Sequence, residues 1–223
     1  MLPKIEKAVR FMIDIAQDNS HGYDQNQRWG ERGDYDCSSL TITAFEKAGF
    51  PVKSNYGATY TGNMKQAFIN CGFKDVRNVV NLYTGAGLIR GDILLNEVHH
   101  VAVYIGNGLI VQASINELGR ATGGRPGDQT GYEINISKYK NYHRGGWDIV
   151  LRYEEKLDEK VIDKKGEIKK MSEKEKEYAV QAINKLAELK LLNSPDVHIK
   201  NIDKSNWALW VMIAKMNEKI DNK

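Results

Sequence analysis

Cys37 stands in the run Tyr35-Asp36-Cys37-Ser38-Ser39, just ahead of a stretch with helical periodicity. That placement suits a thiol nucleophile. At a helix start the partial positive charge favours the thiolate, and N–H groups that the helix leaves unused point towards it. The same donors can hold the oxyanion that forms when sulfur adds to a carbonyl. A buried structural cysteine is the alternative, but an Asp and two Ser make a poor apolar flank. Cys71, in AFINCGF at the end of an apolar stretch, reads instead as a buried small hydrophobe.

A thiol nucleophile needs an imidazole to take its proton and later to protonate the leaving amine. Histidines occur at 21, 99, 100, 143 and 198. His99 and His100 open HHVAVYIG, which alternates as a strand, so the two point to opposite faces and cannot serve one site together. His99 shares its parity with the apolar Val101, Val103 and Ile105. His100 shares its parity with Ala102 and Tyr104, and is the better base. The same parity argues against a zinc site built on both. The base needs an orienting partner, and Gln112, the polar break in LIVQAS, is the candidate; an exposed strand glutamine is its bland alternative.

The elements that must position these groups are legible as follows. Helical periodicity covers 3–17, with Ile5, Ala8, Val9, Met12 and Ala16 inward. A polar loop runs to about residue 36. A second helix starts near Cys37 and closes at Gly49, with Pro51 beyond, and a third covers 60–71. Short β-branched runs follow at 93–95, 101–105, 109–114, 132–136 and 148–153, and Gly106-Asn107-Gly108 makes a hairpin turn. Helices followed by an antiparallel sheet predict an α+β domain over 1–155. Residues 156–171 read as a linker in a mixed-charge run. Residues 172–223 read as a helical unit opened by a capping box at Ser172 and Glu175. In its last helix Trp207, Trp210, Val211 and Ala214 form a second apolar face, which suits core packing, self-association or stacking on sugars.

The paired blocks DCSSL and HVAVYIGNG, with Tyr23 ahead and an RGDI strand between, resemble the NlpC/P60 peptidoglycan hydrolases, among which phage endolysins are prominent. The resemblance covers roughly residues 5–153. It implies a papain-like core in which a helix presents the cysteine against an antiparallel sheet, and hydrolysis of a wall amide through an acyl-enzyme without a cofactor or metal. Cys37 matches the family's nucleophile and His100 its base. Gln112 falls at the third polar position, most often a histidine in the family. Tyr23 matches a tyrosine near the substrate, and Trp29, Ser38 and Arg125 are further candidates for substrate contact. Asp36 and Asp92 fit caps and turns. The Gly-rich insertion 113–134 reads as a surface loop whose Arg120 and Arg125 can meet stem-peptide carboxylates, with Gly127–Thr130 read equally well as a turn.

Net charge is +3, too mild and too evenly spread for a nucleic-acid partner. The expected partner is bacterial peptidoglycan, without membrane insertion, and with homo-oligomerisation or wall targeting through the C-terminal helices. The N-terminal stretch lacks the apolar run and cleavage site of a secretory signal. Synthesis in the cytoplasm is therefore expected, with two reduced thiols and action on the wall after release. An endopeptidase within the stem peptide is the first expectation. An N-acetylmuramoyl-L-alanine amidase is the alternative, and a non-catalytic wall-binding protein on the same fold is the competing class. Acyl transfer to lipid is disfavoured because no amphipathic anchor adjoins the domain.

Overall fold

The computed structural model describes residues 3–142 and 144–154, together with Val180 and Asn184. The chain falls into two units, Met1–Glu155 and Lys156–Lys223. The charged linker and the helical unit expected over 156–223, including Trp207 and Trp210, otherwise lie outside the described residues.

Helix α1, Pro3–Gln17, buries Ile5, Ala8, Val9, Met12 and Ile15 along one stripe. Ile15 takes the innermost place expected of Ala16, which is half-buried. Helix α2, Cys37–Lys47, is capped by Asp36, whose side chain accepts from Ser39 N–H at 2.7 Å while its own N–H donates to Ser39 Oγ at 2.9 Å. After α2 the chain turns at Gly49, φ +92°, which lets Phe50 N–H reach the Phe45 carbonyl at 3.0 Å. Eight of the eleven α2 residues are buried, so α2 is the central helix and not a surface one. Helix α3, Thr61–Asn70, joins it through edge-on packing of Phe45, Phe68 and Phe73, which continues to Phe50 and Tyr153. Cys71 follows α3 and is half-buried, more open than its apolar setting suggested. Both cysteines are free thiols.

Six strands follow: β1 (Phe73–Asp75), β2 (Ile93–Asn96), β3 (His100–Gly106), β4 (Leu109–Ala113), β5 (Ile134–Lys138) and β6 (Ile149–Tyr153). They form one antiparallel sheet in the order β1-β6-β2-β3-β4-β5. The α+β class is as expected. Strand β1 is an addition, since three residues carry no readable period. Asn107 and Gly108 both have positive φ (+53° and +71°), as a tight β3–β4 hairpin requires.

The two sheet faces are covered differently. Val101, Val103, Ile105 and Val111 pack beneath the helices in the main core. Leu94, Ala102, Ile110 and Val150 face the other way, under Val76, Leu88 and Trp147. Both faces are therefore buried, and the second is roofed by loop segments instead of helices. No helix among the described residues is long and apolar enough to cross a membrane.

Candidate active site

The start of α2 sets Cys37 against the start of β3. The backbone N–H of Val101, the residue after His100, and N–H groups of the first α2 turn face the sulfur. These donors favour the thiolate, yet burial, and after it the adjacent Asp36 carboxylate, push the thiol up to about 12. The helix start alone suggested a thiolate. Desolvation outweighs the helix-end donors and raises the thiol's pKa instead. Asp36 is itself held by Arg28 at 2.7 Å and by Ser38 Oγ at 2.8 Å. Ser38 is thereby turned into the helix cap.

His100 is the first residue of β3 and is 8% exposed. Its Nε2 lies 2.8 Å from Gln112 Oε1. Tyr142 and Trp147 stack against the imidazole with ring centroids at 5.2 and 5.9 Å. Gln112 in turn donates towards Asn135 Oδ1 and Ser137 Oγ, each at 3.4 Å, across the β4–β5 pairing in which Gln112 and Asn135 are direct partners. His99 is exposed and lies in the turn ahead of β3, so strand parity does not govern it. Both histidines border the same groove, but the bond to Gln112 belongs to His100.

That groove has a volume of about 560 Å³. Tyr23, Gln25, His100 and Gln112 line it together with the segment after β5. Its charged lining is Lys138, Lys140 and Arg144, and the described lining residues include no Asp or Glu. Tyr23 is buried, near enough to Cys37 for the two to influence each other's ionisation. Burial, followed by the approach of Cys37, raises its phenol above the usual value. Tyr142 feels Cys37 as well. Trp29, by contrast, sits under Lys53, whose Nζ lies 3.3 Å from the ring centroid, and neither it nor Ser38 lines the groove.

The Gly-rich insertion is tied down by carboxylates. Asp34 Oδ1 accepts from Gly22 and Gly127 N–H, each at 2.9 Å, bringing these two backbones so close that a Cβ on Gly22 would collide with the Gly127 carbonyl. Asp128 accepts from Thr130, Tyr132, Glu133 and Ile134, so Gly127–Thr130 is a turn. Buried Glu133 accepts from Tyr23 N–H at 2.9 Å, which fixes the groove wall. Arg120 and Arg125 do not line the groove, and Arg125 N–H is spent on Glu117. Sequence reasoning passed over Asn135, Ser137, Tyr142, Trp147 and the three cations. The polar alternation Asn135, Ser137 in β5 and the aromatic–basic run over 138–147 were the available signals. Among the described residues no group of three or more His, Cys, Asp or Glu is placed to hold a metal.

A thiol at the start of α2, and an imidazole held by an amide in an open groove, are the residue types on which thiol-nucleophile catalysis draws. No curated protein matches the chain. Among solved structures it is similar to the P60 domain of an M. avium subspecies paratuberculosis antigen, 15% identical with a TM-score of 0.35 over 67% of this chain and 96% of that one. It is also similar to the resuscitation promoting factor interacting protein RipA, 18% identical with a TM-score of 0.36 over 67% of this chain and 63% of that one. A third is the peptidoglycan hydrolase RipB from Mycobacterium tuberculosis, 21% identical with a TM-score of 0.35 over 68% of this chain and 67% of that one. The Endolysin-like domain family matches residues 4–109 and 110–176, well over half of the sequence, and the chain belongs to that family.

Proposed function

We propose that the chain is a cysteine-dependent peptidoglycan hydrolase that cleaves an amide bond of the wall stem peptide, as an endopeptidase. The observation that carries this reading is the Cys37 thiol at the start of α2, facing the backbone N–H next to His100, whose ring is held by Gln112 at 2.8 Å. Membership of the endolysin-like family supports the same substrate. So does the charge of the groove, since Lys138, Lys140 and Arg144 suit a peptide rich in carboxylates.

The thiol gives its proton to His100 as the sulfur adds to the carbonyl carbon, because a group held near 12 is not ionised beforehand. The N–H groups of Cys37 and Ser38, which have no partner within α2, turn from the sulfur to the oxyanion as the C–S bond forms. The C–N bond then breaks, and the imidazolium returns the proton to the leaving amine. Water, deprotonated by His100, attacks the thioester, and the acid product leaves with the thiol restored.

Purified wall and mass spectrometry of the released fragments test this. Cys37→Ala and His100→Ala are each expected to lower fragment release by at least about 10³-fold while the protein still sediments with wall. Release that survives Cys37→Ala overturns the mechanism. Stem peptides freed with L-Ala at the N-terminus would replace the endopeptidase reading by an amidase one.

A further inference from the structure

We propose that Asn135 is a positioning residue that selects the protonated nitrogen of His100 through the amide of Gln112. Four hydrogen-bonding groups form a series. It begins at a backbone carbonyl, which can only accept. Asn135 Nδ2 donates to the Tyr132 carbonyl at 2.7 Å, so the other end of that amide, Oδ1, is the end turned to Gln112. An amide oxygen can only accept, and the Gln112 atom facing it at 3.4 Å is therefore the NH₂ group. Gln112 then has only its carbonyl oxygen to offer His100, at 2.8 Å from Nε2. A carbonyl oxygen demands a donor, so the neutral imidazole carries its proton on Nε2. Nδ1 keeps the lone pair and is the nitrogen able to take the thiol proton.

Ser137 Oγ also lies 3.4 Å from the Gln112 amide, but a hydroxyl both donates and accepts and cannot choose between the two amide orientations. Asn135 makes the choice because its own amide is committed. The Tyr132 carbonyl is committed as well, since the Glu133 N–H of the same peptide unit is held by Asp128 at 3.1 Å in the turn before β5. The direction of the whole series is thus set by a turn outside the groove. Reversing the Gln112 amide would place NH₂ against Nε2 and drive the proton to Nδ1, the nitrogen that has to be empty.

The kinetic consequence rests on the hydrolase reading, whereas the tautomer does not, and the test separates them. The full chain is labelled with ¹⁵N-histidine, and long-range ¹H–¹⁵N correlation spectra are recorded at neutral pH, with His100→Gln identifying the His100 signals. Wild type is expected to show the Nε2–H pattern. Asn135→Ala is expected to give a mixture of both tautomers, and to lower kcat about tenfold with KM unchanged, within the range by which a misplaced general base slows catalysis. Asn135→Asp keeps an obligate acceptor in front of Gln112. It is expected to retain the Nε2–H pattern, and its kcat within about threefold of wild type. A pure Nε2–H pattern in Asn135→Ala overturns the proposal, and so does a mixed pattern in Asn135→Asp. Both spectra can be read even if the wild type cuts no wall at all, an outcome that would count against the hydrolase reading alone.

Discussion

The two ends of β3 are anchored by opposite chemistry. At the far end, Tyr104 N–H donates to the Asp92 carbonyl at 2.8 Å, and the buried Asp92 carboxylate is gripped by Arg152 at 2.8 and 2.6 Å. Arg152 also reaches the Gly87 carbonyl, so the pair locks β6 to the loop before β2. At the near end, His100 is held by an amide, and that amide is held by a second amide and a hydroxyl. Fixed charges suit a joint that never changes its protonation. A neutral series puts no fixed charge of its own against the ring, whereas a facing carboxylate would favour the imidazolium. The start of α2 follows the framework rule: Arg28 and Asp36 form an ion pair beside the Cys37 thiol. Asp36 caps the helix, and its charge discourages a resting thiolate.

The largest effect is expected at the charged end. Arg152→Ala leaves the Asp92 side chain buried with no guanidinium, and breaking such a pair from one side costs about 3–5 kcal/mol. Urea unfolding of the full chain should report that loss. Turnover per folded molecule should stay at the wild-type value, because the ion pair lies at the end of β3 remote from His100. A fall in turnover of the folded fraction would mean that the two ends are coupled.

How much of this contrast was readable in the sequence depends on the kind of interaction. The α1 stripe and the β-branched runs announce themselves, since each residue's burial repeats a period that neighbours confirm. Cys37 was singled out by its helix-start setting and Gln112 by its break in an apolar run. His100 was chosen over His99 by parity, which holds for the strand, although His99 lies outside it. The rest depends on contacts distant in sequence. Asn135 looks like any polar strand residue until β5 is paired with β4. Trp147 looks like a loop aromatic until it roofs the second sheet face. The thiol's high pKa could not be read from the helix start, because burial dominates it and burial is a tertiary property.

A smaller effect follows from making the neutral end charged. Gln112→Glu puts a carboxylate 2.8 Å from the place where imidazolium forms. An opposite charge at that distance raises the histidine pKa by about one unit or more. The acid limb of the pH profile for kcat/KM should move upwards accordingly, with turnover recovering as the pH is raised. An unmoved limb would show that the neutrality of Gln112 has no bearing on the base.

The smallest effect concerns Glu133, which stands behind the groove wall and refines the same comparison. Asp92 accepts from Arg152 as well as from Ile89 N–H, whereas Glu133 takes its hydrogen bonds from backbone N–H groups with no guanidinium, those of Tyr23 at 2.9 Å and Gln129 at 3.3 Å. Burial raises its pKa above the usual carboxylate value, against the pull of those two donors. A raised carboxylate pKa means that the folded state prefers the protonated form. Its contribution to stability is therefore full below the unfolded-state pKa and is lost as pH rises through the folded one. Glu133→Gln removes that titration and leaves the other carboxylates in place. Unfolding free energies measured from acid to neutral pH should show wild type losing stability relative to Glu133→Gln as pH rises through this window. A difference that is flat with pH, or that runs the other way, would mean that backbone donors alone stabilise the charge as well as Arg152 stabilises Asp92. The contrast between the two ends would then lie in geometry and not in how each end handles charge.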